Sequence, residues 1–118
     1  MAILRGTADT IEVNALAAIT EDLGKVTKLK FKVTFKRLTV SEAKEKLKAM
    51  QDPDSDVTEQ SIIRDDLVKW RDLQGEGGEV EFTSENLEAM LEHFEYLNAL
   101  MEAWGSAQLG RVMANAKN

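Results

Sequence analysis

The nine residues Lys28-Leu29-Lys30-Phe31-Lys32-Val33-Thr34-Phe35-Lys36 alternate polar and apolar side chains without a break. A period of two suits a β-strand with one buried face, whereas on a helix the same residues would be spread around the whole circumference. Leu29, Phe31, Val33 and Phe35 are expected to face a core. Lys28, Lys30, Lys32, Thr34 and Lys36 are expected to face outward. A strand of this kind needs a neighbour for its backbone. Upstream, Ile11 and Val13 flank Glu12, and Leu16 to Ile19 is a short apolar stretch. A strand near 11–19, turned at Glu21-Asp22-Leu23-Gly24, would complete a hairpin.

After Leu38 the period changes. Thr39-Val40-Ser41-Glu42 is a capping box, which predicts a helix with Ala43, Leu47 and Met50 on its inner stripe. Asp52-Pro53 ends it, since proline disfavours a helical residue before it. A polar linker then offers N-cap candidates up to Thr58, and a second helix is expected over about 58–71 with Ile63, Leu67 and Trp70 on one stripe and Ile62 beside it. Gln74 to Glu79 reads as a flexible loop. Val80-Glu81-Phe82 reads as a short extended piece packing two side chains inward. Thr83 or Ser84 caps the next helix, in which Leu87, Met90, Phe94, Leu97, Met101 and Trp104 recur at steps of three and four. No Gly or Pro interrupts 84–104, so one long helix fits, and so do two with a kink near 94–95. Gly105 is placed to be the C-terminal cap. The expected architecture is therefore α+β: an N-terminal β-hairpin packed on a mainly helical domain of three to four helices. The whole chain, 1–118, forms one domain, with flexible ends expected within 1–24 and 106–118.

Length and charge narrow the function. A chain of 118 residues with 43% hydrophobic and 31% charged side chains has the composition of a folded globule. It contains no cysteine, which excludes disulfides, thiolate metal sites and a cysteine nucleophile. No apolar run approaches the ~18 residues that cross a bilayer. The opening MAILRGTADT lacks the apolar core and cleavage site of a signal peptide, so a cytoplasmic location and no membrane partner are expected. The net charge of −6 is unevenly spread. Residues 25–48 hold nine basic residues against Glu42 and Glu45, whereas Asp72 to Gly110 holds nine acidic residues and no Lys or Arg. Such a two-ended molecule can orient on a partner of complementary charge, or on another copy of itself.

No catalytic, cofactor or metal site is expected. His93 is the only histidine and has only carboxylates nearby, which suits a solvated side chain better than a zinc ligand. The loop Gly75-Glu76-Gly77-Gly78 is acidic and would repel phosphate. Carboxylate pairs such as Asp65-Asp66 and Glu92/Glu95 are common in an acidic chain, and none stands out as a general acid and base. The lysine face Lys28, Lys30, Lys32 and Lys36 is a candidate electrostatic contact face. Nucleic acid is disfavoured as its target, because Phe31 and Phe35 fall on the opposite side and leave no stacking platform. Lysines on an edge strand also block sheet-to-sheet aggregation. The Met and aromatic stripe can serve as core or as partner surface, and the partner-binding residues expected from it are Phe94, Leu97, Met101 and Trp104, with Trp70 and Phe82 assigned to the core.

The order of these pieces resembles the tail assembly chaperones of long-tailed phages and prophages. The resemblance rests on Leu29 to Leu38 (LKFKVTFKRL) followed by Thr-Val-Ser-Glu and on Leu67-Val68-Lys69-Trp70. It continues through the acidic, glycine-rich turn Asp72 to Glu79 and Val80-Glu81-Phe82-Thr83-Ser84-Glu85-Asn86-Leu87. It covers about residues 25–104. It implies a non-enzymatic protein that binds and solubilises the tape measure protein, a long helical chain, and helps recruit tail tube subunits around it. It also implies a protein that works in the host cytoplasm and is absent from the mature virion. Two departures accompany it: the family often breaks between its last two helices, where His93 to Ala103 has no breaker, and residues 1–24 match poorly. The alternatives are a structural tail-completion or connector subunit, and a nucleic-acid-binding regulator using the lysine-rich strand.

Overall fold

The computed structural model describes residues 9–116. Strand β1 (Thr10–Thr20) and strand β2 (Val26–Lys36) form an antiparallel hairpin in continuous register, from Thr10 opposite Lys36 to Thr20 opposite Val26. The strand expected near 11–19 and the turn expected at Glu21 to Gly24 are both present, so residues 9–24 are not a flexible end. Residues 1–8 and 117–118 lie outside the described residues. The turn is a single 3-10 turn, Asp22–Gly24, in which Leu23 and Gly24 both take positive φ, at 61° and 76°. Phe31, Val33 and Phe35 are buried and Leu29 is half-buried, as the alternation requires. Thr34 points to the lysine side, yet it is buried too.

Helix α1 (Val40–Gln51) opens with the full capping box: the Glu42 amide donates to Thr39 Oγ1 at 3.2 Å, and the Thr39 amide donates to Glu42 Oε1 at 2.9 Å. Thr58 caps α2 (Glu59–Asp66), with Ser61 as the reciprocal partner. Here the structure departs from expectation. The second helix stops at Asp66, and Leu67–Arg71 is strand β3, paired antiparallel with β2. Leu67 and Trp70 are three residues apart, a spacing that reads as helical, since on a regular strand it would send them to opposite faces. The register resolves this. Phe35 pairs with Leu67 and Val33 with Trp70, so three steps on β3 match two on β2. The extra residue forms a bulge that resets the parity and lets both side chains reach the core.

The sheet order is β1-β2-β3. The lysine-bearing strand is therefore central, and its lysines do not guard an edge. Asp72, at φ 61°, turns the chain into a small hairpin of β4 (Gln74–Gly75) and β5 (Gly78–Glu79), where a flexible loop was expected. Thr83 caps α3 (Ser84–Leu91), and α4 (Phe94–Ala116) follows. The 84–104 stretch is thus two helices with the corner at Glu92-His93, although neither Gly nor Pro is present. The bidentate Arg64–Glu88 pair, at 2.7 and 2.8 Å, holds α3 to α2, while α4 runs along β1. Gly105 does not end the helix. It lies buried inside α4, and the break comes at Gly110, with φ 58° and ψ −149°.

The core lies between the sheet and the helices. Ala99, Ala103 and Ala107 recur every fourth residue on α4 and are buried, as are Ala15 and Ala17 on β1. Small side chains on both surfaces let helix and strand backbones approach closely. Gln108 then pins α4 to the end of β2, donating to the Lys36 carbonyl at 2.6 Å and accepting from the Leu38 amide at 2.9 Å. The architecture is α+β: a hairpin extended by β3 and packed against four helices.

Candidate functional site

The expected partner stripe divides into two sets. Trp104 is 1% exposed, and Leu97 is buried. Both belong to the core, and Met101 is half-buried against it. Only Phe94 of the four is open, at 79% exposure. The helix corner is the reason. On one continuous helix Phe94 would follow Leu87 and Met90 onto the buried stripe. The turn at Glu92-His93 restarts the phase, so Leu91 and Leu97 go inward and Phe94 goes out. His93 sits exposed at this corner, its amide donating to the Met90 carbonyl and its carbonyl accepting from the Leu97 amide. Phe94 is flanked by His93 and Glu95, with exposed Glu92 next along the chain. Trp70 is core as expected. Its indole N–H donates to the Val80 carbonyl at 2.8 Å, and Phe82 meets its ring edge-on at 4.7 Å between centroids. Phe82 itself, expected to be core, keeps 37% of its surface open.

The lysine face is present on the outer side of the sheet. Lys28, Lys30 and Lys36 are exposed, and Lys32 reaches Asp72 at 3.6 Å. Leu16, opposite Lys30 on β1, is 52% exposed and supplies an apolar spot among the cations. Across the middle of the face, Arg71 of β3 donates twice to Glu12 of β1, at 2.7 and 2.9 Å. This pair spans the central strand. Thr34 lies between Glu12 and Lys69 in the register, and the long side chains around it account for its burial. The Arg71 hydrogen bonds hold the Glu12 carboxyl below its ordinary value of 4.5. A shallow depression of about 270 Å³ lies where β3 ends, lined by Asn14, Lys30, Phe31, Lys32 and Asp72. Two ammonium groups and one carboxylate border it. This is a mixed-charge surface and not a pair of carboxylates set for acid–base work.

The least expected group is Asp66, only 2% exposed. One carboxylate oxygen accepts from Lys46 Nζ at 2.7 Å and the other from the Trp104 indole N–H at 2.8 Å. Three helices, α1, α2 and α4, meet at this carboxylate. A buried charge is tolerated only when paired and hydrogen-bonded, and both conditions hold here. The sequence carried a signal for it: Asp66 lies four residues after Ile62 and three after Ile63, on the same apolar stripe. An acid on a buried helix face requires a partner.

Among the described residues no three or more His, Asp or Glu side chains gather as a metal site, and no helix is long and apolar enough to cross a membrane. Compared with known protein families, curated proteins and solved structures, the chain matches none of them.

Proposed function

We propose that this chain is a tail assembly chaperone of a long-tailed phage or prophage: it binds the tape measure protein, keeps it soluble and helps gather tail tube subunits around it. The observation that carries this reading is the ordered set of motifs between Leu29 and Leu87. In the fold these motifs form one unit. The strand Leu29 to Lys36 pairs with Leu67 to Arg71, whose Trp70 bonds Val80 and meets Phe82 edge-on, just before the capped helix at Ser84. Distant stretches of chain that resemble one family are thereby held together by pairing and packing.

The surface chemistry supports the same role. A protein that holds an apolar helical client needs exposed apolar anchors set in a charged surface that keeps the complex soluble. Phe94 among Glu92 and Glu95 is such an anchor, and Leu16 among the lysines is another. With the β2 lysines on the outer sheet face and the acidic residues of α3 and α4 on the helical layer, copies could also align front to back on a rod-like client. The site of action on this reading is the host cytoplasm, and the protein is absent from the finished particle.

Co-expression with the longest helical protein encoded just downstream tests the proposal. The expected result is a partner that is insoluble alone and is captured in soluble form with this chain. Equal solubility without it, and no captured complex, would overturn the reading. Recovery of the chain in purified particles would favour the tail-completion or connector alternative. The nucleic-acid alternative has little support from the outer sheet face, since Phe31 and Phe35 are buried beneath it.

A further inference from the structure

Strand β2 has a neighbour on both sides over only part of its length. β1 pairs with all of it, from Val26 to Lys36, whereas β3 meets it only from Lys32 to Phe35. At Asp72 the chain turns away, at φ 61°. The stretch Val26 to Phe31 therefore keeps one open edge, about 20 Å long at ~3.3 Å per residue. The ladder fixes which backbone groups lie on that edge. The Glu21 amide donates to the Lys25 carbonyl at 2.6 Å, and the Arg37 amide donates to the Asp9 carbonyl at 2.8 Å. Every second pair of an antiparallel ladder exchanges bonds, so the odd-numbered residues of β2 bond β1. The amides and carbonyls of Val26, Lys28 and Lys30 point the other way, to the side on which β3 pairs with Lys32 and Thr34. Among the described residues nothing bonds them there. Besides β1 and β3, the only element with substantial contact to β2 is α4, which packs beneath the sheet.

Charge selects what this edge takes. The last lysine that β3 covers has a carboxylate beside it: Lys32 reaches Asp72 at 3.6 Å, just where β3 ends. Lys30 and Lys28 come next in the row. Both are exposed, they stand opposite Leu16 and Ala18 on β1, and neither has a carboxylate partner among the described residues. The depression of about 270 Å³ bordered by Lys30, Lys32 and Asp72 lies at the start of the open edge. We propose that the open edge of β2 is a strand-addition site for an acidic, extended segment of another protein. The incoming strand takes up the row that β3 leaves, and its main chain bonds Val26, Lys28 and Lys30. Cross-strand neighbours share a face, so acidic residues two apart meet Lys28 and Lys30 on the outer side, and an apolar residue between them covers half-buried Leu29 on the inner side. A second copy fits poorly, because β2 against β2 sets lysine against lysine. The alternating acidic stretch Glu79 to Phe82 is held against Trp70 in its own fold. Residues 1–8 and 111–118 carry no Asp or Glu. The strand-addition site stands independently of the assembly reading above; only naming its occupant as a tail protein would rest on that reading.

Amide hydrogen exchange on the full chain tests this, with the synthetic peptide Glu-Val-Glu-Val-Glu-Val as probe. In the free protein the Lys28 and Lys30 amides should exchange faster than those of Leu29 and Phe31, which bond β1. Saturating peptide should slow Lys28 and Lys30 at least about tenfold and leave Asn14 and Leu16, on the outer edge of β1, unchanged. Binding of the fluorescein-labelled peptide, read by anisotropy, should weaken about tenfold or more when lysine replaces glutamate in it. The double variant Lys28→Glu, Lys30→Glu alters two exposed side chains and should reverse that preference. A peptide N-methylated on every amide keeps the charges but cannot join a ladder, and equal binding by it would overturn strand addition in favour of charge attraction alone. Absence of binding, or protection that appears on β1 and not at Lys28 and Lys30, would overturn the site. Slowing of Lys28 and Lys30 that rises with protein concentration and needs no peptide would overturn the outside partner in favour of a second copy.

Discussion

At the scale of single residues, exposure and pairing separate side chains that look alike in the sequence. Phe94 and Leu97 sit three apart on the same periodic stripe, but one is open and the other is core. Leu97→Ala should therefore cost about 2–5 kcal/mol in chemical denaturation. Phe94→Ser should stay within about 0.5 kcal/mol and, on the proposed chaperone reading, should weaken capture of the tape measure protein. Asp66 is the acidic counterpart of this contrast. Asp65 beside it is exposed, whereas Asp66 holds Lys46 and Trp104 at once. Asp66→Ala strands a half-buried ammonium and a buried indole N–H, and should cost roughly 3–5 kcal/mol, the range seen when one partner of a buried pair is removed. A loss below about 1 kcal/mol, read from urea midpoints, would show that the node does not hold the helices.

At the scale of elements, local signals placed most boundaries and missed those set by pairing. The capping boxes at Thr39 and Thr58 and the cap at Thr83 start their helices, because a side-chain oxygen satisfying an exposed amide is a local event. Thr39→Ala should cost about 1 kcal/mol, measured as a lower urea midpoint. The strand Leu67–Arg71 was not legible in the same way, since its i,i+3 apolar pair copies a helix and only pairing with β2 reveals the bulge. Deleting Val68 should remove the bulge and turn either Leu67 or Trp70 to the wrong face. We expect a loss of about 3–5 kcal/mol, comparable to truncating a buried tryptophan. Near-native stability of the deletion would show that the strand can re-pair without it.

At the scale of the whole molecule, the sheet order turns a charged stretch of sequence into a charged face. Lysines that alternate along β2 become one side of a three-stranded sheet, with the helices packed behind it. Glu12, Glu42 and Glu88 are each held below the ordinary 4.5, by Arg71, by the Thr39 backbone amide and by Arg64 respectively. A depressed folded-state value means that their stabilisation is complete above about 4.5 and is lost as pH falls through the folded-state values. The urea midpoint should therefore hold steady from neutral pH down to about 5, then decline toward about pH 3. Added salt should weaken the exposed Glu12–Arg71 and Glu88–Arg64 contributions at neutral pH. A midpoint unchanged at about pH 3 would show that these pairs contribute nothing to the fold.

The sequence by itself determined the features whose causes lie within a few residues. These are the alternating strand and its hairpin, the helix starts at their threonine caps, and the stop at Asp52-Pro53. From them the α+β class follows, because an amphipathic strand beside amphipathic helices has to bury the shared apolar side. Only the tertiary structure decided that β2 is central, that α2 gives way to β3, that the last helical stretch turns at Glu92-His93, and that Asp66 is the buried junction of three helices. Each of these depends on which distant surface a residue meets. The propensities of Leu67, Phe94 or Asp66 are compatible with several environments, and the pairing of strands and the packing of helices select one.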